Sequence, residues 1–172
     1  QADANGIHAH PGDPRSGVMV FPGGVVEASD AAAGALCLGD DDAAWSQRLG
    51  MSRGGQAFAV AAGREAYEEV GLLLAASTDG ATSGVAAQAQ ALEAWRPRLN
   101  AGEVSHAAFG EAHGLRPDLR GLAYAAHWIT PPGLPRRFDT RFFWVLAPQG
   151  LGAQADQGEA VALAWLTPAE AL

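Results

Sequence analysis

Three observations predict an α+β chain, with an α/β/α sandwich as its layered form. Helical and β patterns are mixed along the sequence without an internal repeat, and no βαβ series carries a glycine-rich phosphate fingerprint. The 172 residues, 48% of them hydrophobic, are enough for one core, so a single domain over residues 1–172 is expected.

The formal charge of −8 and a pI near 4.9 exclude a broad basic footprint, so neither nucleic acid nor an anionic membrane surface is expected as a partner. A small polyanionic substrate would need a local cation to enter. Cys37 is the single cysteine, which rules out an internal disulfide and a cysteine-built zinc cage. A reducing compartment fits, and with an Ala- and Gly-rich, bacterial-like composition the expectation is cytoplasmic. The opening "QADANGIHAHPGDPRSG" has neither a basic start nor an apolar run, and no stretch approaches the roughly 20 apolar residues of a membrane span.

Element by element, residues 1–16 carry Asn-Gly, Pro-Gly and Asp-Pro breakers and predict an irregular arm. "GVMVF" (17–21) predicts a strand stopped by Pro22-Gly23-Gly24, with "VVE" starting a second strand. Residues 31–56 lack a sustained period and read as an insertion with a helical turn or two around Trp45. A helix is expected over 57–70 with Gly71 as its C-terminal cap. Residues 85–115 read as a helical insertion of two helices, the first ended by Pro97 and the second starting near Ser105. "LAYAAHWIT", the "PPGLP" turn and "RRFDTRFFWVLA" predict two strands, with Phe138, Thr140, Phe142, Trp144 and Leu146 marking one face of the second. "EAVALAWL" and then "TPAEAL" predict a last strand and a helix start with Thr167 as N-cap.

The helix "GREAYEEVG" (63–71) poses a physical problem. At about 100° per residue, Glu69 lies near 40° and Glu68 near −60° from Glu65, so three carboxylates share one face. Ala59, Val60, Ala66, Tyr67 and Val70 fall on the opposite side. Glu68 and Glu69 sit in the last turn, where the helix dipole disfavours each by roughly 0.3–1 kcal/mol. The like-charged i, i+4 pair Glu65 and Glu69 adds a few tenths. A solvated acidic face is one reading. The other is a functional site in which a divalent cation, Mg²⁺ or Mn²⁺ for hard oxygen ligands, reverses both penalties. Arg64, at i, i+4 from Glu68, can hold carboxylates in place by charge-assisted hydrogen bonds.

Together with the glycine turn "FPGGVVEASD" upstream, these residues resemble the Nudix box: Gly, five residues, Glu, seven residues, then Arg-Glu-U-X-Glu-Glu-X-Gly-U, where U is aliphatic. Gly24 takes the first position and "REAYEEVGL" fills the second half with Ala66 as U. The acid five residues after Gly24 is Asp30, one methylene shorter than the family's Glu, and 33 residues in place of seven separate it from Arg64. A long insertion inside the box, with "AHWITPPGLPRRFDTRFF" and the closing "WLTPAEAL", is similar to the coenzyme A diphosphohydrolases of the peroxisomal type and their bacterial relatives.

The resemblance implies a Nudix-like α/β/α sandwich with a mixed sheet, and Mg²⁺- or Mn²⁺-dependent hydrolysis of a small nucleoside diphosphate derivative. Coenzyme A or acyl-CoA is the first substrate class, cleaved to 3′,5′-ADP and the phosphopantetheine product. ADP-ribose or another nucleoside diphosphate sugar is the competing one. A non-catalytic nucleotide sensor is the alternative of another class, and it is disfavoured by the presence of all three glutamates. In the family pattern Glu65, Glu68 and Glu69 hold the metal, while Glu65 or Glu68 is variously ligand or general base. Other members take the base from a later loop, for which Glu159 and Asp156 are the candidates here, each open to the reading of a solvated loop acid. Gly23 and Gly24 let the backbone pass close to the metal. The resemblance also implies a strand ahead of the glycine turn, which the irregular arm does not offer. Residues outside the chain or a homodimer partner would supply it.

Arg136 and Arg137 could pair with a substrate phosphate. The alternative is that Arg136, Arg137 and Arg141 are outward strand positions with Asp139 as ion-pair partner. His127 and Trp128 read as strand packing. His8 and His10, without further ligands, make weak metal candidates.

Overall fold

The computed structural model describes residues 7–8, 20–82, 85–147, 152–156 and 162–170. Its elements, in chain order, are β1 (Ile7–His8), α1 (Ala28–Ala33), α2 (Asp42–Leu49), α3 (Gly55–Val70), β2 (Ala75–Ser77), α4 (Ala89–Glu93), α5 (Arg96–Asn100), α6 (His106–His113), β3 (Leu115–Pro117), β4 (Ala123–Ile129), β5 (Asp139–Trp144) and β6 (Leu163–Ala164). The α+β class holds. Among the described residues the strands form three antiparallel pairs, β1 with β6, β2 with β3 and β4 with β5. Parallel pairing is confined to the Leu38–Asp118 bridge, so a continuous mixed sheet is not seen within them.

The helix α3 is the axis of the structure because it is buried on two sides. Tyr67 joins Leu73, Val85, Leu92, Leu99, Phe109 and Leu115 in one apolar cluster, and its hydroxyl donates to the Leu92 carbonyl at 2.5 Å. Ala59 and Val60 join Trp45, Leu119 and Leu122 in a second cluster, against which Tyr124, Phe143 and Val145 also pack. The expected apolar stripe of α3 is therefore real, and it serves two cores at once.

Both ends of α3 are held by segments distant in sequence. At its N-terminus, where helix N–H groups lack partners, the Asp42 carboxylate accepts from the backbone of Gly54 and Gln56, at 3.0 Å each, and Ser46 Oγ accepts from Gly55 N at 2.9 Å. Gly55 is required here, since a Cβ would lie 2.6 Å from Ser46 Cα. The insertion 31–56 thus caps α3, and its helix around Trp45 is α2, itself capped by Asp41 through the Ala44 N–H at 2.9 Å. At the C-terminus Gly71 takes φ 72°, with Gly71 N on Tyr67 O and Leu72 N on Ala66 O.

Several sequence expectations are corrected. "VVE" is not a strand start: the chain is irregular there, and Glu27 instead closes a capping box with Asp30 at the head of α1. Within the arm, Ile7 and His8 pair with Ala164 and Leu163, a long-range pairing no local pattern announces. Pro97 does not end a helix. It lies in the first turn of α5, where its missing N–H costs nothing, so the 85–115 insertion has three helices and ends in β3. The helix α6 starts beside Ser105 as expected, and Ser105 caps it, accepting from Ala108 N at 3.1 Å. In β5 the face towards the core carries Phe143, followed by Val145, while Phe138, Trp144 and Leu146 are exposed. The aromatic alternation marks the outer face because bulk alone does not tell in from out. Of the "GVMVF" strand, residues 17–19 lie outside the described residues, as do 159–161 of the last strand. Thr167 and Glu170 form a turn, with the Glu170 carboxylate accepting from Thr167 N and Oγ1 at 2.8 Å each.

Candidate active site

The acidic face of α3 is not a solvated surface. Glu65 is 8% exposed and Glu69 3%, so the solvated reading of this cluster is overturned. Burying carboxylates this way is costly unless they are paired, and for Glu65 the pairing is supplied by Arg64, whose side chain is 8% exposed. Its Nε donates to Asp30 Oδ1 at 2.9 Å and its Nη2 to Asp30 Oδ2 at 3.2 Å and to the Val25 carbonyl at 2.9 Å. Its Nη1 reaches Glu68 Oε2 at 2.7 Å and Glu65 Oε1 at 2.9 Å. Five donors in a rigid fork allow one guanidinium to gather three carboxylates. Asp30, though one methylene short, makes a bidentate contact because α1 carries it up to α3, and the 33 intervening residues form the rest of α1, a short 3-10 turn, α2 and the first turns of α3 itself.

Burial opposes the Arg64 charge, but the Asp30 hydrogen bonds and the charges of Glu65, Asp30 and Glu68 hold its proton above the usual guanidinium range. For Glu65, burial first, then the charges of Glu69 and Glu68, push its pKa up to about 7 against the pull of Arg64. For Glu68, burial is outweighed by hydrogen bonds from His106 and Arg64, and its pKa is lowered. The two glutamates are therefore differentiated by their neighbours.

This difference sets a pH dependence. A carboxyl whose native pKa is raised contributes stability fully present below its ordinary value of 4.5 and lost as pH rises through about 7. Glu68 acts in the opposite sense, in a window below 4.5. Between pH 5 and 8 the Glu65 contribution governs, so metal-free protein should lose on the order of 3 kcal/mol over that range. Saturating Mg²⁺ should raise the melting temperature more at pH 8 than at pH 5. Equal shifts at the two pH values would contradict the assignment.

Gly23 and Gly24 are not equivalent. A Cβ at Gly24 would overlap the Glu65 carboxylate, with Glu65 Cδ at 2.7 Å, whereas one at Gly23 meets nothing within 4 Å. The Gly24 backbone and Glu65 thus form a cradle that admits no side chain. Gly24→Ala should displace Glu65 and cut turnover by about tenfold or more, with little change in unfolding free energy, while Gly23→Ala leaves both unchanged. Steady-state kinetics and urea titration of the two variants check this.

The last turn also explains how glutamates are tolerated at a helix C-terminus. Asn100 Nδ2 donates to the Glu68 carbonyl at 3.1 Å, Asp156 N to the Glu69 carbonyl and Gln154 N to the Val70 carbonyl, at 3.0 Å each. These donors neutralise the carbonyl dipoles that would repel the acids.

Asp156 is brought against the end of α3 through its backbone, while Glu159 and His10 lie outside the described residues. Arg136 stacks over Phe138 and Arg137 Nε donates to the Thr130 carbonyl at 2.9 Å, so both are engaged within the hairpin turn and bonded to none of the acids. Arg141 is not an outward strand position. It lies over the Phe58 ring, 4.5 Å from its centroid, while its Nη1 pairs with Asp139 at 2.7 Å. Phe58 precedes Glu65 by seven residues, close to two full turns, so this cation shares the acidic face of α3. His127 pairs with Asp139 at 2.6 Å, and Trp128 is exposed and does not pack as expected. His106, Asn100 and Asp42 went unnoticed in the sequence, since nothing local marks a side chain that serves a helix 12 to 38 residues away.

Carboxylate oxygens suit a hard divalent ion, and the Gly24 cradle leaves backbone beside Glu65 with no side chain between. Among the described residues no group of three or more His, Cys, Asp and Glu side chains is arranged to hold a metal ion as it stands. That is compatible with Mg²⁺, which keeps several waters and uses one or two carboxylates with substrate phosphates instead of an all-protein cage. The residues present therefore fit such an ion. No helix among the described residues is long and apolar enough to cross a membrane.

A glycine loop and a buried Arg-centred acidic helix define the Nudix class, and the fold agrees. A crystal structure of a NUDIX hydrolase from Alicyclobacillus acidocaldarius superposes with a TM-score of 0.68 at 28% identity, covering 98% of this chain and 74% of that one. The NUDT19 Nudix domain family matches residues 40–172, and the chain belongs to it. Among curated proteins, the acyl-coenzyme A diphosphatase NUDT19 of Gallus gallus is 31% identical over 92% of this chain and 53% of its own length. The Homo sapiens protein of the same name is 29% identical over 90% and 50%. The chain spans about half the length of these curated relatives. Nudix hydrolases as a family use divalent metal ions.

Proposed function

We propose that this chain is a divalent-cation-dependent diphosphatase that hydrolyses the phosphoanhydride of coenzyme A or acyl-CoA to 3′,5′-ADP and the corresponding phosphopantetheine. The observation that carries the reading is the burial of Glu65 and Glu69 beside Glu68, tied through Arg64 to Asp30. A structural helix face has no use for such a concentration of buried acid. The choice of coenzyme A over other nucleoside diphosphates is supported by the names of the curated relatives.

Glu65, Glu68 and Glu69 are the side chains that would hold one or more Mg²⁺ or Mn²⁺ ions, each ion using one or two of them together with the substrate phosphates. When bound, the ion supplies charge neutralisation for the diphosphate oxygens and a lowered pKa for bound water. The chain's own residues supply the placement. Arg64 and Asp30 fix the direction of Glu65 and Glu68, and the Gly24 backbone packs against the Glu65 carboxylate where a side chain would displace it. Where Glu65 serves as general base instead of ligand, Oε2 is the oxygen that would accept the proton, because Arg64 occupies Oε1. Arg141 supplies positive charge on the same helix face, and Arg136 and Arg137 are held in reserve as phosphate contacts on the hairpin turn.

The test is direct. Incubation with coenzyme A, an acyl-CoA, ADP-ribose and UDP-glucose, each with Mg²⁺ or Mn²⁺, should release 3′,5′-ADP from the first two at the highest kcat/KM. Preference for ADP-ribose would replace the substrate and keep the chemistry. Binding of all four without turnover would leave a nucleotide sensor.

A further inference from the structure

We infer that His106, on the insertion helix α6 and outside the Nudix box, is a positioning residue for the metal-binding carboxylate of Glu68. This rests on the proposed function. His106 Nε2 lies 2.7 Å from Glu68 Oε1 while Arg64 Nη1 donates to Glu68 Oε2 at 2.7 Å, so each oxygen of the carboxylate is gripped by a different element. A single contact to Arg64 from the same helix would leave Glu68 free to swing about that bond. Two contacts from opposite sides fix its plane.

Each carboxylate oxygen has a second lone pair, so both stay able to meet a cation. Hydrogen-bonded supports of this kind around a ligating carboxylate govern metal affinity. The geometry of α6 serves this purpose: Ser105 caps the helix, which places His106 at its first position and turned back to α3, and Asn100 from the preceding helix ties the Glu68 carbonyl. The helical insertion is thereby joined to the site at both the backbone and the side chain of one residue. Its third link is apolar, through Phe109 stacked on Tyr67 at 5.5 Å between ring centroids.

Because Phe109 and Tyr67 dock α6 independently, a change at His106 should not unseat the helix. His106→Ala should weaken Mn²⁺ binding, read by titration calorimetry or electron paramagnetic resonance, by about tenfold or more. It should lower kcat by a similar factor and leave KM for the nucleotide nearly unchanged. His106→Gln, whose amide N–H can still reach Glu68, should recover most of both. A double-mutant cycle of His106→Ala with Glu68→Gln on metal-free unfolding should show non-additivity.

Unchanged Mn²⁺ affinity in His106→Ala overturns the inference alone, as does an additive cycle or a Gln variant as weak as the Ala one. An unmodified protein that binds no Mn²⁺ overturns the proposed function and takes this inference with it.

Discussion

Glu65→Gln should abolish most of the activity and yet make the metal-free protein more stable above neutral pH. The side chain is buried, it lies beside Glu68 and Glu69, and its pKa is pushed up to about 7. Gln keeps the shape and removes the charge, so at pH 8 the variant no longer carries the cost of ionising that position. A gain of roughly 1–3 kcal/mol in unfolding free energy is expected. The Arg64 guanidinium retains Asp30 and Glu68, so it is not orphaned. For turnover the same loss of charge removes an anionic ligand of the proposed cation, and kcat should fall about 10²- to 10³-fold, equivalent to roughly 3–4 kcal/mol. Opposite signs for stability and activity identify a functional acid; a variant that is both less stable and fully active would mark Glu65 as structural.

Arg64→Ala should be the most destabilising single change in the site. The fork is shared by Asp30, Glu65, Glu68 and the Val25 carbonyl, and of these Asp30 and Glu65 are buried. Removing it leaves buried carboxylates facing one another, a loss of about 3–5 kcal/mol. That is a large part of the 5–15 kcal/mol typical of a domain, so the melting temperature should drop steeply. Arg64→Lys keeps the charge but cannot make the bidentate contact with Asp30, and should fall between. Urea unfolding at pH 7 measures both, and a loss below about 1 kcal/mol for Arg64→Ala would show that the network is not what holds Asp30 on α3.

Much of this site was legible from residue order. The 57–70 helix, its glycine stop, the shared face of the three glutamates and the gathering role of Arg64 follow from helical period and charge, and the structure bears out each placement. Local rules also place Trp45 in a short helix and a helix start near Ser105. They failed where a decision depended on what lies opposite. Alternation gives Phe138 to Leu146 one face of β5 without saying which way it points; Phe143 and Val145 turn inward because the facing surface is the Trp45 cluster, and Arg141, read as outward, turns in to meet Phe58. Pro97 read as a stop and is a start, since the same φ suits either role and only the docking of α5 decides.

What the sequence determined by itself was the inventory and its spacing along α3: which carboxylates stand together, which cation accompanies them, and where the helix ends. Those are consequences of a fixed rise and rotation per residue, and they hold wherever that helix is placed. The tertiary structure alone decided that the acidic face is enclosed, that Asp30 reaches Arg64 across 33 residues, and that Asp42, Asn100 and His106 brace the helix at its two ends. Burial and long-range pairing depend on which distant segments pack together, and that is a property of the whole chain's competition for its apolar surface, not of any local run of residues.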